Sequence, residues 1–206
     1  MIEDRIAGST GTASDAFRVV VVSAGDISRG PAVQRILKTR LRSLGTDSAL
    51  VLSSAGTAAA GGEPIHPLTA RALSELGTDP DGHQAHRLTE RRLAQADLIL
   101  TVSRAECSDA AALRPGVRER MFTVVEFARL TASAPAEVRG PHELVAELAG
   151  LRGSVRPVDP GEDDLDDPTS GSYRDHERVL RRVDHAVRDI ARGLSASFAV
   201  SPESGG

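Results

Sequence analysis

One stretch of the chain decides the fold: residues 19–31, with the sequence VVVVSAGDISRGP. Four consecutive β-branched valines predict a strand that is buried on both faces, and Pro31 suits the first turn of a helix that follows. The short loop between strand and helix aims successive backbone N–H groups at one point, with the positive end of the helix dipole behind them. The stretch therefore predicts a cradle for a phosphate group.

The loop also contains a serine and an arginine at a diagnostic spacing. Arg29 stands six positions after Ser23, which is the spacing of a Cys-x5-Arg phosphatase loop with serine in the place of cysteine. The low-molecular-weight protein tyrosine phosphatases carry Val-Cys-x-Gly-Asn-x-Cys-Arg-Ser-Pro at this point, and this chain resembles them. Gly25, Arg29 and Pro31 match the family pattern.

Four positions of the loop depart from that pattern. Ser23 takes the place of the nucleophilic cysteine, Asp26 that of the asparagine, Ser28 that of the second cysteine and Gly30 that of the serine. A serine hydroxyl ionises far less readily than a thiol, so Ser23 needs an adjacent base to act as a nucleophile. Asp26 is the candidate base within the loop, and the alternative is that Ser23 only forms hydrogen bonds there.

The resemblance extends over most of the chain, from about Phe17 to Leu194. Three further segments match the family's second strand, the loop after it and its third strand; they are Ser53–Thr57, Gly62–Pro64 and Ala96–Thr101. Residues 164–168, DLDDP, match the late loop that supplies the family's general acid, so the resemblance assigns that role to Asp167. The implied fold is an α/β three-layer sandwich, with helices on both faces of a central four-stranded parallel sheet.

The residue pattern supports the same fold class independently. Apolar strands alternate with helical segments, which is typical of a parallel sheet whose ligand site lies at the carboxyl ends of the strands. We expect strands at Val19–Val22, Ala49–Ser53, Leu98–Val102 and Phe122–Val125. We expect helices at Pro31–Ser43, Pro67–Leu76, Ala105–Leu113 and Glu143–Leu151, and a last one with an apolar stripe from Val179 to Leu194.

The chain is expected to form one domain, residues 17–194, between two tails. At 206 residues it is long enough for a single sizeable core. Residues 1–16 and 195–206 mix small, polar and charged side chains without periodicity, so both tails are predicted to be loose. A stretch at about 131–157, with several Gly and Pro residues, interrupts the alternation as an insertion, and we assign it no function.

Composition narrows the class of partner and the compartment. The formal net charge of -4 gives no reason to expect nucleic acid or an anionic membrane as the main partner. The sequence has no apolar run of membrane-spanning length and no apolar signal segment near Met1. The one cysteine, Cys107, excludes an internal disulfide and fits a cytoplasmic protein. Leu113, not Arg, stands six positions after Cys107, so this thiol is not a displaced nucleophile.

The loop as a whole is expected to bind a phosphate-like anion. The predicted anion site consists of Ala24, Gly25, Asp26, Ile27, Ser28 and Arg29. Arg29 would clamp two of the anion's oxygens with its planar guanidinium. A carboxylate at Asp26 within a few ångströms of a bound dianion would repel it, so Asp26 either points away from the anion or weakens its binding.

Three other groups of residues bear on the interpretation of the site. Asp167 lies in an acidic run that also suits a solvated loop, and the spacing of its carboxylates matches no calcium loop, so no metal or other cofactor is predicted. The family commonly has aromatic residues after the Asp-Pro pair, whereas Thr169, Ser170 and Gly171 stand here, which argues against recognition of a phosphotyrosine ring. The six histidines are interpreted as surface or capping residues.

The resulting hypothesis is a family member that has lost the cysteine mechanism. It would be a pseudophosphatase that binds a phosphate-like anion or a phosphorylated protein at residues 23–29 in a regulatory role. One alternative is an active phosphatase or hydrolase that uses Ser23 with Arg29 and Asp167, and another is a scaffold with a collapsed cleft. A working serine nucleophile needs a His, Asp or Lys within hydrogen-bond reach. The geometry around Ser23 therefore distinguishes the pseudophosphatase from the active enzyme.

Overall fold

The computed structural model describes residues 16–135, 138–152, 154 and 159–199. Its centre is a parallel sheet of four strands, which are Phe17–Ser23 (β1), Leu50–Gly56 (β2), Leu98–Thr101 (β3) and Met121–Thr123 (β4). Their spatial order is β2-β1-β3-β4, so β1 lies inside the sheet between β2 and β3. The chain therefore changes direction across the sheet at β1, the place where open parallel sheets form their ligand crevice.

Seven α-helices accompany the sheet in the part of the chain that is described. They are Arg29–Ser43 (α1), Pro67–Glu75 (α2), Glu90–Gln95 (α3), Arg104–Leu113 (α4), Val124–Thr131 (α5), Pro141–Leu151 (α6) and Tyr173–Ala199 (α7). Short 3₁₀ turns occur at Asp47–Ala49, Arg118–Arg120 and Pro160–Asp163.

The valines of β1 show why the sheet is covered on both sides. Val19 and Val21 join the larger apolar core with α1, α2, α5, α6 and α7, whereas Val20 and Val22 join a smaller one with α3 and α4. Successive side chains of a strand point to opposite faces, so a run of four valines needs apolar partners on each side. The predicted three-layer α/β sandwich is confirmed.

One strand ends earlier than the sequence suggested, and an unpredicted helix takes over. β4 stops at Thr123 because Thr123 caps α5: its hydroxyl accepts a hydrogen bond from the backbone N–H of Glu126 at 3.0 Å, and the Glu126 carboxylate accepts one from the Thr123 N–H at 3.3 Å. This capping box makes Val124 and Val125 helical despite their β propensity. α3 was also missed, and α1 begins at Arg29, two residues before the predicted start.

The last helix, α7, is longer than predicted and packs against α1, α2, α5 and α6. The prediction of a loose tail from Ser195 is wrong for Ser195–Ala199, which continue the helix; Ser197 is buried and the Phe198 ring lies 6.5 Å from that of Phe17. The tail residues 1–15 and 200–206 lie outside the described residues, as do 136–137, 153 and 155–158 of the predicted insertion. Within the described ranges, no helix is both long and apolar enough to cross a membrane.

The packing of Phe198 on Phe17 generates a stability prediction. Phe198→Ala should lower the free energy of unfolding by about 2 kcal/mol, because it removes a partly buried ring and leaves a gap at the start of β1. Leu44→Ala is the matched control, since Leu44 is 46% exposed and should change stability by less than about 0.5 kcal/mol. Urea denaturation measures both, and equal midpoints for Phe198→Ala and wild type would contradict the packing role.

Candidate functional site

The predicted loop lies where β1 ends and α1 begins, and it lines a cavity of about 320 Å³. The lining residues are Ser23, Ala24, Gly25, Asp26, Ile27, Ser28, Arg29, Ala58, Asp167 and Thr169. Every site residue named from the sequence is therefore at this one cavity. The presence of this cavity differs from the collapsed cleft that the scaffold alternative expects.

Four carbonyl groups of the loop accept hydrogen bonds from neighbouring segments of the chain. The carbonyl oxygens of Ser23, Ala24, Asp26 and Ile27 accept hydrogen bonds from Thr57 N, Ala58 N, His83 Nε2 and His66 N, at 2.9, 2.9, 2.7 and 2.7 Å respectively. By contrast, the N–H groups of Gly25, Ile27 and Ser28 meet no acceptor among the described residues. Free amides at the start of a helix are donors for an anion.

The end of β2 approaches the loop so closely that it requires a glycine. A Cβ atom on Gly56 would lie 2.4 Å from the carbonyl oxygen of Ala24. That distance is far inside van der Waals contact, so any side chain at position 56 would push the loop out of place. Gly56 thus lets β2 hold the loop from one side.

Asp26 is folded under the loop with its carboxylate fully buried. Its φ of 55° is left-handed, which Asp tolerates better than most residues. One carboxylate oxygen accepts a hydrogen bond from His86 N–H at 2.9 Å and lies 3.8 Å from His83 Nε2, while Oδ1 has no partner in the described structure. Burial raises the pKa of Asp26, although hydrogen bonds from His86 and Ser54 and the histidine charges oppose the rise. Of the two alternatives, the carboxylate is turned beneath the loop.

Ser23 lacks the base that a serine nucleophile requires. Its hydroxyl oxygen accepts a hydrogen bond from Asp26 N–H at 3.2 Å, and no His, Asp or Lys side chain of the described residues hydrogen-bonds to it. A Cβ atom on Gly30 would lie 2.6 Å from this oxygen, so the hydroxyl occupies space that a side chain at position 30 would fill. The geometry gives no support to Asp26 as a base for Ser23.

Arg29 is almost buried and is already bound on three sides. One terminal nitrogen donates to the Leu165 carbonyl oxygen at 2.9 Å, and the other lies 2.9 Å from Asp167 Oδ2 and 3.5 Å from Glu106 Oε1. The Ser103 hydroxyl hydrogen-bonds to the second carboxylate oxygen of Glu106. Sequence reasoning missed Glu106, although its place in the first turn of the helix after β3 puts it at the ligand edge of the sheet.

The surroundings of Asp167 favour its ionised form. Partial burial raises the pKa of Asp167, but hydrogen bonds from the Thr169 hydroxyl and backbone N–H, together with the charge of Arg29, outweigh it and lower the pKa below its ordinary value. A general acid must carry a proton at the working pH, so this shift opposes that role. Two carboxylates, Glu106 and Asp167, thus share one guanidinium.

The other candidate residues are engaged away from the cavity. Asp163, from the acidic run, is buried between Arg104 and Arg129 at 3.3 and 3.1 Å, and the described residues contain no cluster of His, Cys, Asp or Glu suited to a metal ion. Cys107 lies in α4 as predicted, with its sulfur 2.8 Å from the Thr101 hydroxyl oxygen, and burial raises its pKa. Its thiol is therefore poorly activated.

The histidines correct the interpretation that all are surface or capping residues. His66 does cap α2, accepting a hydrogen bond from Leu68 N–H at 3.3 Å. His83 supports the loop at Asp26 with only 7% of its side chain exposed, and His176 is fully buried. The proximity of His83 to His86 in sequence was the available signal, but their relation to residue 26 depends on the tertiary fold.

The parallel sheet and the amide-lined loop define a phosphatase-type cradle, and comparison with known proteins identifies its family. The family model described as low molecular weight phosphotyrosine protein phosphatase matches residues 18–153. The chain belongs to this family.

Individual relatives agree with that assignment. EpsP of Ralstonia nicotianae, a probable low molecular weight protein-tyrosine-phosphatase, is 27% identical over 117 residues, 57% of this chain and 77% of the relative. Wzb of Vibrio vulnificus, solved with benzylphosphonate, has a TM-score of 0.64 at 20% identity and covers 85% of this chain and 97% of its own. A Cys-to-Ser mutant of the arginine phosphatase YwlE, with a phosphorylated active-site serine, has a TM-score of 0.66 at 21% identity, covering 86% and 95%.

The buried carboxylate generates a pH-dependent stability prediction. Because the folded pKa of Asp26 is raised above its ordinary 3.8, the folded state loses stability as pH rises from that value through the folded pKa. Asp26→Asn removes this loss, so its advantage in the free energy of unfolding should be near zero in acid and should grow as pH rises through the folded pKa of Asp26. Urea denaturation over a pH series measures the difference.

Asp109→Asn serves as the control for this series, since Asp109 is exposed on α4. It should leave the pH dependence of wild type unchanged. If the free energy of unfolding depended on pH in the same way for Asp26→Asn and wild type, the buried carboxylate would not destabilise the folded state.

Proposed function

We propose that this protein is a pseudophosphatase of the low-molecular-weight family, which binds a phosphate-like anion or a phosphorylated protein at residues 23–29 and acts as a regulatory binding module. The observation that carries the proposal is the combination of unpaired loop amides with a serine that has no base. The first feature favours anion binding, and the second removes the means of activating a nucleophile. A cytoplasmic location fits the single, partly buried cysteine.

The charges around Arg29 support binding without efficient chemistry. Asp167 already occupies part of the guanidinium that would clamp an anion, so an incoming phosphate must compete with an internal carboxylate. The lowered pKa of Asp167 also disfavours the protonated form that a departing oxygen would need. These features favour weak, reversible binding over turnover.

The ligand is not expected to be recognised through a flat ring. None of the described residues that line the cavity is aromatic, and the lining residues outside the loop are Ala58, Asp167 and Thr169. An aromatic ring gains most of its affinity by stacking on other rings or broad apolar surface. The phosphate group itself would therefore supply most of the binding energy.

A second candidate function rests on a related structure. The YwlE mutant carries a phosphorylated serine at its active site. By analogy, Ser23 would accept a phosphoryl group once: its oxygen would bond to phosphorus, the bond from phosphorus to the leaving oxygen would break, and the hydroxyl proton would end on that oxygen. Without an acid or a base, the phosphoserine would persist instead of turning over.

Anion binding by the loop is the first prediction here. Titration with sulfate or phosphate should shift the amide NMR signals of residues 24–29, and Asp26→Asn should strengthen binding by removing a nearby negative charge. Asp167→Asn should strengthen it by about fivefold, or about 1 kcal/mol, by freeing Arg29 from its competitor. Arg29→Ala should nearly abolish it.

The control is Arg42→Ala, which changes the net charge equally on an exposed side chain of α1 and should bind sulfate like wild type. Arg29→Lys keeps a charge beside Glu106 but loses the planar fork, so intermediate binding is expected. No response of the loop amides to tens of millimolar anion, in wild type and Asp26→Asn alike, would favour a scaffold without a ligand.

Turnover is the second prediction. Wild type should not hydrolyse an aryl phosphate, and Ser23→Cys alone should restore little activity. Ser23→Cys with Asp26→Asn and Gly30→Ser should restore more, since it removes the buried charge and returns the family's hydroxyl at position 30, with the side chain of residue 23 turned away from the new Cβ. A wild-type rate that is lost in Ser23→Ala would establish an active enzyme, and intact-mass measurement of a single added phosphate would establish the second candidate.

A further inference from the structure

A buried chain of polar side chains runs from the loop to the last helix. The hydroxyl oxygens of Ser28 and Thr69 are 2.8 Å apart, and Thr69 Oγ1 is 2.8 Å from His176 Nδ1. Their exposed fractions are only 4%, 0% and 0%, so bulk water does not interrupt the chain. We call these three side chains the Ser28 relay. It connects the predicted anion loop through α2 to the first turn of α7.

The far end of the relay is unusual because His176 Nε2 is buried without a partner in the described structure. The ring stacks on His66, with centroids 4.7 Å apart and planes inclined by 14°. His66 in turn donates its backbone N–H to the Ile27 carbonyl oxygen of the loop. Since neither tautomer of His176 satisfies Nε2, no outer hydrogen bond fixes which ring nitrogen carries the proton.

The tautomer of His176 decides the direction of the relay. If Nδ1 is unprotonated, Thr69 donates to it and Ser28 donates to Thr69, which uses the Ser28 hydrogen inside the protein. If Nδ1 carries a proton, it donates to Thr69, Thr69 donates to Ser28, and the Ser28 hydrogen is released. Each hydroxyl has one hydrogen to give, so the two directions are mutually exclusive.

We infer that His176 is a positioning residue for anion binding, because through Thr69 it determines whether the hydroxyl of Ser28 can donate a hydrogen bond to an anion in the cavity. Ser28 is among the residues that line the cavity, and Thr69 is the one partner of its hydroxyl among the described residues. In the reversed relay the Ser28 hydrogen is therefore left for an anion bound in the cavity. This inference rests on the proposed anion-binding function and adds a residue that regulates the affinity of the loop for the anion. A bound dianion favours the reversed relay, with the proton on Nδ1 of His176.

The charged groups around His176 set the pH range of this coupling. Burial lowers the pKa of His176 and the charge of His66 lowers it further, whereas Asp167 and Asp175 raise it. Protonated His176 always carries hydrogen on Nδ1, so an anion that prefers the reversed relay must raise this pKa by linkage. Anion affinity should correspondingly fall as pH rises through the titration of His176.

The test is NMR of the histidine ring nitrogens in the full chain, titrated with sulfate, which stays a dianion across the range of histidine titration. Above that titration, saturating sulfate should move the neutral ring of His176 toward the form protonated at Nδ1. Through-space attraction alone shifts the pKa but leaves the neutral tautomer nearly unchanged. The ring of His185, exposed on the same helix, is the internal control and should not change tautomer.

Two variants cut the relay at different points. Thr69→Val keeps the shape of the side chain but removes its hydroxyl, and Ser28→Ala removes the terminal donor. Each should weaken sulfate binding by about threefold to tenfold, the value of one hydrogen bond, and should abolish the sulfate-dependent change of tautomer. Thr39→Val is the matched control, since Thr39 lies exposed on α1 and donates only to Arg35 O at 3.1 Å.

The outcomes separate this inference from the function on which it rests. Loop amides that respond to sulfate while the His176 tautomer stays fixed would overturn the relay and leave anion binding intact. Retention of the tautomer change in Thr69→Val would also overturn the relay. Loop amides that do not respond at all would overturn the proposed function, and the inference with it.

Discussion

The guanidinium of Arg29 is a buried charge that three distant parts of the chain share. Arg29 begins α1, and its guanidinium forms an ion pair with Glu106 of α4. The same guanidinium donates hydrogen bonds to the Leu165 carbonyl oxygen and to the Asp167 carboxylate of the late acidic loop. Leu165 is fixed a second time, because its N–H donates to the Val102 carbonyl oxygen at the end of β3. Removing one partner of a buried ion pair costs about 3–5 kcal/mol, since the other charge stays unpaired. The position of the late acidic loop at the cavity therefore depends on the same cation that an anion would need.

Different contacts fix the backbone of the cradle and surround the side chains that catalysis would use. The backbone part of the cradle is fixed by outward hydrogen bonds from Thr57, Ala58, His66 and His83, none of which involves the side chain of residue 23. The catalytic part, by contrast, needs a nucleophile with a partner and an acid with a proton. Among the described residues no basic side chain hydrogen-bonds to Ser23, and the surroundings of Asp167 lower its pKa. Binding geometry and reactivity are thus carried by different atoms.

The features predictable from the sequence are those set by local periodicity and by strand order. The four valines of β1 predicted a doubly covered strand, and the rule that ligands bind at carboxyl ends of parallel strands put residues 23–29 at the cavity. The contacts of Arg29 with Glu106 and of Ser28 with Thr69 could not be predicted from the sequence. These residues are far apart in the chain and come into contact only when the helices pack on the sheet. The capping box at Thr123 was readable in principle, but the β propensity of Val124 and Val125 pointed the other way.

The contact between positions 23 and 30 has a consequence for how such a loop can evolve. The present hydroxyl of Ser23 and any side chain at position 30 claim the same volume, with 2.6 Å between the oxygen and a Cβ on Gly30. The two positions are therefore epistatic, because the effect of a substitution at one depends on the residue at the other and on its rotamer. A serine or any other side chain at position 30 can be accommodated only once residue 23 adopts a different rotamer, so the order in which the two positions change matters.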